Sequence, residues 1–204
     1  MQQILNSQHF MQLEDKYGAH NYHPLPVVLS KGEGAFVWDV EGKKYYDFLS
    51  AYSAVNQGHC HPRIIQALVE QASVLTLTSR AFYNDMLGKY EKYITDLLGF
   101  DKVLPINTGV EAVETAMKLC RKWAYEVKGT SLNKAKIIFA SGNFHGRTLA
   151  VISASTDPDN AKFGPFIDGV IIVPYNNLEA LEEALQDPDV AGFMVEPIQG
   201  EAGV

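Results

Sequence analysis

Three short apolar runs, Ile137-Ile138-Phe139-Ala140, Val170-Ile171-Ile172-Val173 and Gly192-Phe193-Met194-Val195, constrain the fold more than any other feature. They have strand length, and they lack the alternation of a strand with one face in water. Such strands are buried on both faces, as in a parallel sheet covered by helices. The intervening segments fit that plan. Thr108-x-x-Glu111 is a capping box, followed by Ala112, Ala116, Leu119, Cys120 and Trp123 at helical spacing, with Gly129 just past the end. Residues 178–185 read as a helix between the last two strands, and residues 102–106 as a further strand. Strands alternating with helices predict an α/β fold with a mostly parallel sheet.

The first part of the chain is patterned differently. Residues 7–17 suit a helix stopped by Gly18, and Pro24 and Pro26 keep the next stretch extended. Residues 35–40 and 44–48 flank Glu41-Gly42 as a β-hairpin. Pro62 opens a helix with Ile64, Ile65, Leu68 and Val69 on one face, and residues 84–98 form another that ends at Gly99.

Composition narrows the partners. At 204 residues, 47% hydrophobic and 20% charged, the chain can bury a sizeable core. No apolar run approaches the roughly 20 residues of a membrane helix. A net charge of −7 argues against nucleic acid or an anionic membrane as main partner, so an anionic ligand needs a local positive site. Cys60 and Cys120 form no CxxC pattern, which indicates a reducing compartment. The first dozen residues carry no Lys or Arg and no apolar core of signal length, so a cytoplasmic location is expected.

Three loops follow the strand-like runs and should converge at the carboxyl edge of the sheet, where open α/β sheets bind ligands. In Asn107-Thr108-Gly109-Val110, the amides of Gly109 and Val110 open a helix and attract a phosphate. An ordinary capped helix, with Glu111 and Glu114 offsetting the dipole, is the other reading. In the loop from Ser141 to Arg147, the Phe144 ring can lie on a planar heterocycle while Arg147 forks onto a carboxylate. A core aromatic and a surface ion pair are the plainer alternatives, against which stand the flanking Gly142 and Gly146. Glu196, between an apolar strand and Pro197, needs a cationic or protonated partner. Glu201 reads from its Gly-rich loop as a solvated acid. His59-Cys60-His61 has poor spacing for zinc and reads as a loop before the Pro62 helix, so no metal is expected.

With these loops go Asn21-Tyr22-His23-Pro24-Leu25-Pro26, the string from Ser53 to Pro62, the string from Leu77 to Tyr83, and Val195-Glu196-Pro197-Ile198-Gln199-Gly200-Glu201-Ala202-Gly203. Together they resemble the class III pyridoxal-phosphate aminotransferases, ornithine-type members above all, essentially end to end. The resemblance implies fold type I, the aspartate aminotransferase-like architecture. Residues 1–57 would be the N-terminal segment of a small domain, and residues 58–204 the first part of the large cofactor-binding domain. It also implies a homodimer and pyridoxal 5'-phosphate as cofactor. Gly109 and Val110 would bind its phosphate, Phe144 its ring face, and Glu196 would sit beside it. Tyr22, Tyr52 and Arg147 would shape the substrate pocket, with Glu201 paired to an arginine nearer the C-terminus. The implied reaction moves the δ-amino group of ornithine to 2-oxoglutarate, giving glutamate semialdehyde and glutamate. His145 stands where an aromatic residue is expected in many ornithine enzymes, which leaves acetylornithine or another ω-amino acid open as donor. The family's Schiff-base lysine and the aspartate that pairs with the ring nitrogen fall beyond Val204, so the chain is expected to be an inactive N-terminal half or a non-catalytic complementing half.

Overall fold

The computed structural model describes residues 6–203, which form two compact units that divide between Gly88 and Lys89.

In the first unit, helix α1 (Ser7–Tyr17) starts where the Asn6 side chain accepts the His9 amide at 3.1 Å, and it stops at Gly18. Strands β1 (Leu29–Glu33), β2 (Phe36–Asp39) and β3 (Lys44–Tyr46) form an antiparallel sheet in that order. The hairpin expected around Glu41-Gly42 is β2–β3. Gly42 takes φ 85°, and Asp39 accepts the Lys43 amide at 2.8 Å and the Tyr45 hydroxyl at 2.7 Å. The Ser7 amide and hydroxyl donate to the Glu41 carboxylate at 2.8 and 2.6 Å, which ties α1 to the hairpin turn. An isolated antiparallel bridge joins Gly34 to His59, just before α2 (Pro62–Ala72). The apolar residues expected on one face of α2, Ile64, Ile65, Leu68 and Val69, are exposed.

Helix α3 (Leu87–Leu98) begins three residues later than expected, because the Asn84 side chain accepts the Met86 and Leu87 amides at 3.0 and 2.8 Å. Asparagine competes with helix through such local bonds and ends up as a cap. Residues 102–106 do not form the expected strand. An apolar extended segment becomes a strand only when a neighbour takes up its backbone groups, and among the described residues none does.

The second unit is built on a parallel sheet of β4 (Lys136–Ala140), β5 (Val170–Val173) and β6 (Val190–Met194), ordered β5-β4-β6. Helix α4 (Gly109–Trp123) starts with both halves of its capping box formed, and it runs on into a π turn (Ala124–Lys128) that ends at Gly129 with φ 84°. A short helix α5 (Leu149–Ile152) and a 3-10 turn (Pro158–Phe163) lie between β4 and β5. Helix α6 (Leu178–Ala184) precedes β6.

The central strand β4 explains the layers. Ile137 and Phe139 pack with Met117, Val113 and Cys120 of α4, while Ile138 packs with Val173, Val190, and Leu181 and Ala184 of α6. Both faces are therefore covered, as the unbroken apolar run requires. Each such side chain contributes about 1.5–3 kcal/mol by leaving water.

A Cβ placed on Gly32 of β1 would lie 2.7 to 2.8 Å from ring and Cβ atoms of His59, whereas one on Gly88 meets nothing within 4 Å. Gly32→Ala is expected to cost about 1–3 kcal/mol by overpacking. Gly88→Ala is expected to be neutral or to stabilise by up to about 1 kcal/mol. Urea midpoints of the two variants check this, and equal midpoints would refute it.

Candidate active site

The loops after β4 and β6 leave adjacent strands at the same edge of the sheet, and side chains lock them together. Gln199, 3% exposed, donates from Nε2 to the Ser141 carbonyl at 2.8 Å. The Tyr175 hydroxyl lies 3.1 Å from the carbonyls of both Glu196 and Pro197, and the Tyr175 amide donates to Ser141 Oγ at 3.3 Å. Asn143 is buried and donates to the carbonyls of Ala140 and Ala154 at 2.7 and 2.9 Å. None of these three was picked out from the sequence. A polar residue just beyond a buried strand was the available signal, since such a group must find a partner.

Contacts join some of the expected residues. The Phe144 amide donates to Glu196 Oε2 at 3.1 Å, so the second and third loops meet at Glu196. Gly146 has φ 119°, and a Cβ there would lie 2.6 Å from Val110 Cβ, so the second loop rests on the start of α4. Thr148 Oγ1 donates to the Glu114 carboxylate, which joins the same loop to α4 one turn further along. Glu111 accepts the Thr108 amide at 2.9 Å, and Thr108 Oγ1 accepts the Glu111 amide at 3.3 Å. The capping box thus takes up the amides of Thr108 and Glu111, not those of Gly109 and Val110, which lie in the turn where a helix offers no acceptor. Nothing lies within 4 Å of a Cβ built on Gly109, so this end of α4 is open to a ligand.

Phe144 is 45% exposed, with Arg147 Cζ 6.0 Å from its ring centroid. Both line a cavity of about 530 Å³ together with Asn143, His145 and Glu201, while Gly109, Val110 and Glu196 lie outside its lining. Uncapped amides at a helix start, a half-exposed ring and a carboxylate are groups of the kind that suit an anionic aromatic cofactor. Tyr22 and Tyr52 belong to the first unit. Tyr22 lines a groove of about 880 Å³ beside α1, and Tyr52 sits in an exposed turn. His59 is engaged with Asp47, and among the described residues no group of three His, Cys, Asp or Glu side chains could hold a metal. No described helix is long and apolar enough to cross a membrane.

A family described as aminotransferase class-III matches residues 17–204. The chain belongs to the class-III aminotransferases. It is 67% identical over 201 residues to the probable mitochondrial ornithine aminotransferase of Caenorhabditis elegans, covering 98% of this chain and 48% of that one. Against the mitochondrial ornithine aminotransferase of Rattus norvegicus it is 64% identical over 200 residues, covering 98% and 46%. The ornithine aminotransferase structure from Toxoplasma gondii, described as having partial occupancy of pyridoxal phosphate at its active site, superposes with a TM-score of 0.96. It shares 50% identity over 99% of this chain and 48% of that one. The class-III chain therefore has the type I fold in part, and it spans about half the length of the curated relatives it matches. These relatives also overturn the cytoplasmic expectation, because the nematode and rat proteins are named mitochondrial. The expectation rested on the absence of Lys, Arg and an apolar core from the first dozen residues, which the names of such similar relatives outweigh.

His145 packs against Phe139 with ring centroids 5.8 Å apart, and its Nε2 is buried without a hydrogen-bond partner. Burial pushes its pKa below the ordinary 6.5, against a weaker upward pull from Glu196. Unfolding lets this imidazole take up a proton between the lowered value and about 6.5, so stability should fall as pH drops through that window and level off below it. Denaturant midpoints measured across pH 5 to 8 check the slope, which His145→Phe should flatten. A midpoint that rises on acidification and does so only with His145 present would refute it.

Proposed function

We propose that this chain is the N-terminal half of an ornithine aminotransferase, which transfers the δ-amino group of ornithine to 2-oxoglutarate and yields glutamate semialdehyde and glutamate. The observation that carries the reading is the convergence of the α4 start, the Phe144 loop and Glu196, in a chain at least 64% identical to the nematode and rat ornithine enzymes. Ornithine and 2-oxoglutarate are the substrates, the working form is a homodimer, and the small and large domains divide near residue 57.

Pyridoxal 5'-phosphate, when bound, supplies the electron sink for amino-group exchange. The chain's own residues seat and polarise it. The amides of Gly109 and Val110 receive the phosphate at the positive end of α4. Phe144 covers one face of the ring, and Glu196 offers a carboxylate beside it, held by the Phe144 amide. Arg147 takes a substrate carboxylate in a forked pair, a geometry that lysine cannot reproduce. Tyr22 and Tyr52 contact ornithine, and Glu201 pairs with an arginine of the remaining chain.

The Schiff-base lysine lies outside these residues. Of the lysines near the sheet, Lys136 is paired with Asp187 at 2.6 Å, Lys122 lies 3.8 Å from Glu126, and Lys128 donates to the Val190 carbonyl. Borohydride treatment of the 204-residue chain with pyridoxal phosphate should label no single lysine, and a stoichiometric label on one would overturn this part.

In the complete enzyme, Arg147→Ala should lower kcat/KM for ornithine and for 2-oxoglutarate by about 100-fold, the loss of two charged hydrogen bonds. Arg147→Lys should recover only part of that. Steady-state kinetics with ornithine, acetylornithine and 2-oxoglutarate check the assignment. A preference for acetylornithine, or an unchanged kcat/KM in Arg147→Ala, would overturn it.

A further inference from the structure

Four consecutive residues, Ser50, Ala51, Tyr52 and Ser53, have φ of 48°, 48°, 55° and 70°. L-residues avoid this left-handed region because Cβ crowds the next carbonyl, and glycine, the usual occupant, is absent from all four positions. Runs of this kind persist only where the surroundings over-determine them.

The surroundings are in the first unit and can be traced bond by bond. The Asp47 amide donates to the Ala35 carbonyl at 2.9 Å, fixing Asp47 to the antiparallel sheet. Its Oδ1 accepts the amides of Leu49 and Ser50 at 3.1 and 2.8 Å, which starts the turn. Its Oδ2 is 2.7 Å from His59 Nε2. His59 is itself immobilised, because its amide and carbonyl exchange hydrogen bonds with Gly34 at 2.8 and 3.0 Å, and its ring lies against the bare backbone of Gly32. The turn closes through the Val55 amide on the Ser50 carbonyl at 3.0 Å. The His59 contact, with the Ser50 and Leu49 amides, also holds the Asp47 carboxyl below its ordinary pKa, so it stays ionised and accepting.

We propose that Asp47 and His59 are positioning residues, a hydrogen-bonded clamp that forces the left-handed turn and so fixes Tyr52 where it contacts ornithine. The inference rests on the reading of Tyr52 as an ornithine contact. Neither clamp residue touches substrate. Their action passes through the backbone of the turn to Tyr52, which is itself 73% exposed.

The test uses the complete enzyme labelled with fluorotyrosine, with the Tyr52 resonance assigned by its loss in Tyr52→Phe. Asp47→Ala and His59→Leu should shift or broaden that resonance and raise KM for ornithine roughly tenfold. The half-reaction with 2-oxoglutarate should keep its kcat. His59→Gln, which retains a donor for Asp47, should restore both readouts. The KM effect should vanish in a Tyr52→Ala background, since residues acting through one another are non-additive. If Asp47→Ala folds poorly, Ala51→Gly in the same chain should recover the resonance, because glycine accepts the left-handed conformation without a clamp. An unchanged Tyr52 resonance in both clamp variants, or full additivity with Tyr52→Ala, would overturn the proposal. Should Tyr52→Ala itself leave ornithine KM unchanged, the pocket reading of Tyr52 fails and its specificity role falls with it, even where the resonance shows the clamp.

Discussion

The two-sided burial of β4 is the constraint on which the second unit depends. Ile137 and Phe139 face α4, and Ile138 faces α6. A strand enclosed in this way cannot slip by one residue without exchanging its two sets of neighbours, so its register and its carboxyl end are fixed. That end is Ala140, 2% exposed, and the Phe144 loop starts one residue later. The position of a candidate catalytic loop is thus set by packing on the far side of the sheet, before any polar contact is made.

Packing fixes where the loops start, and polar side chains at the sheet edge fix where they go. Asn143, Gln199 and Tyr175 donate to main-chain carbonyls of the loops, so each loop carbonyl they reach is satisfied without regular structure. A buried donor without its acceptor costs about 1–3 kcal/mol, so these bonds discriminate strongly between loop conformations. Glu196 plays a double part. It presents a carboxylate at the sheet edge and at the same time holds the Phe144 amide.

Much of this was legible in the sequence, for reasons that differ by element. The capping box at Thr108 is a local signal, completed within four residues, and it appears as read. The three parallel strands were legible because burial on both faces leaves only apolar side chains. Residues 102–106 carried a similar pattern and formed no strand, since pairing depends on a partner that the segment does not encode. Helix α5 is four residues long, too short for periodicity to register. The loop residues expected from family resemblance are brought to one region through Phe144–Glu196 and Gly146–Val110, whereas the residues that hold them there were missed. A buried asparagine or glutamine in a loop looks like an exposed one until the fold surrounds it.

The two units solve one problem in opposite ways. At Gly142 and Gly146 the chain turns through positive φ with glycine, and at Gly146 there is no room for a Cβ against Val110. Close approach is what that loop requires, so the side chain is given up. Between Ser50 and Ser53 the chain also turns through positive φ, but it keeps side chains at every position, including the phenol of Tyr52. A glycine at position 52 itself would relieve the backbone and remove the group being displayed. Retaining the side chain leaves a strained turn, and strain of about 1–2 kcal/mol per residue must be offset by contacts outside it. Asp47 and His59, anchored to the sheet through Ala35 and Gly34, are the contacts in place to do so. A left-handed run without glycine is therefore evidence that a side chain is wanted there, and the bonds holding the run identify the residues on which its presentation depends.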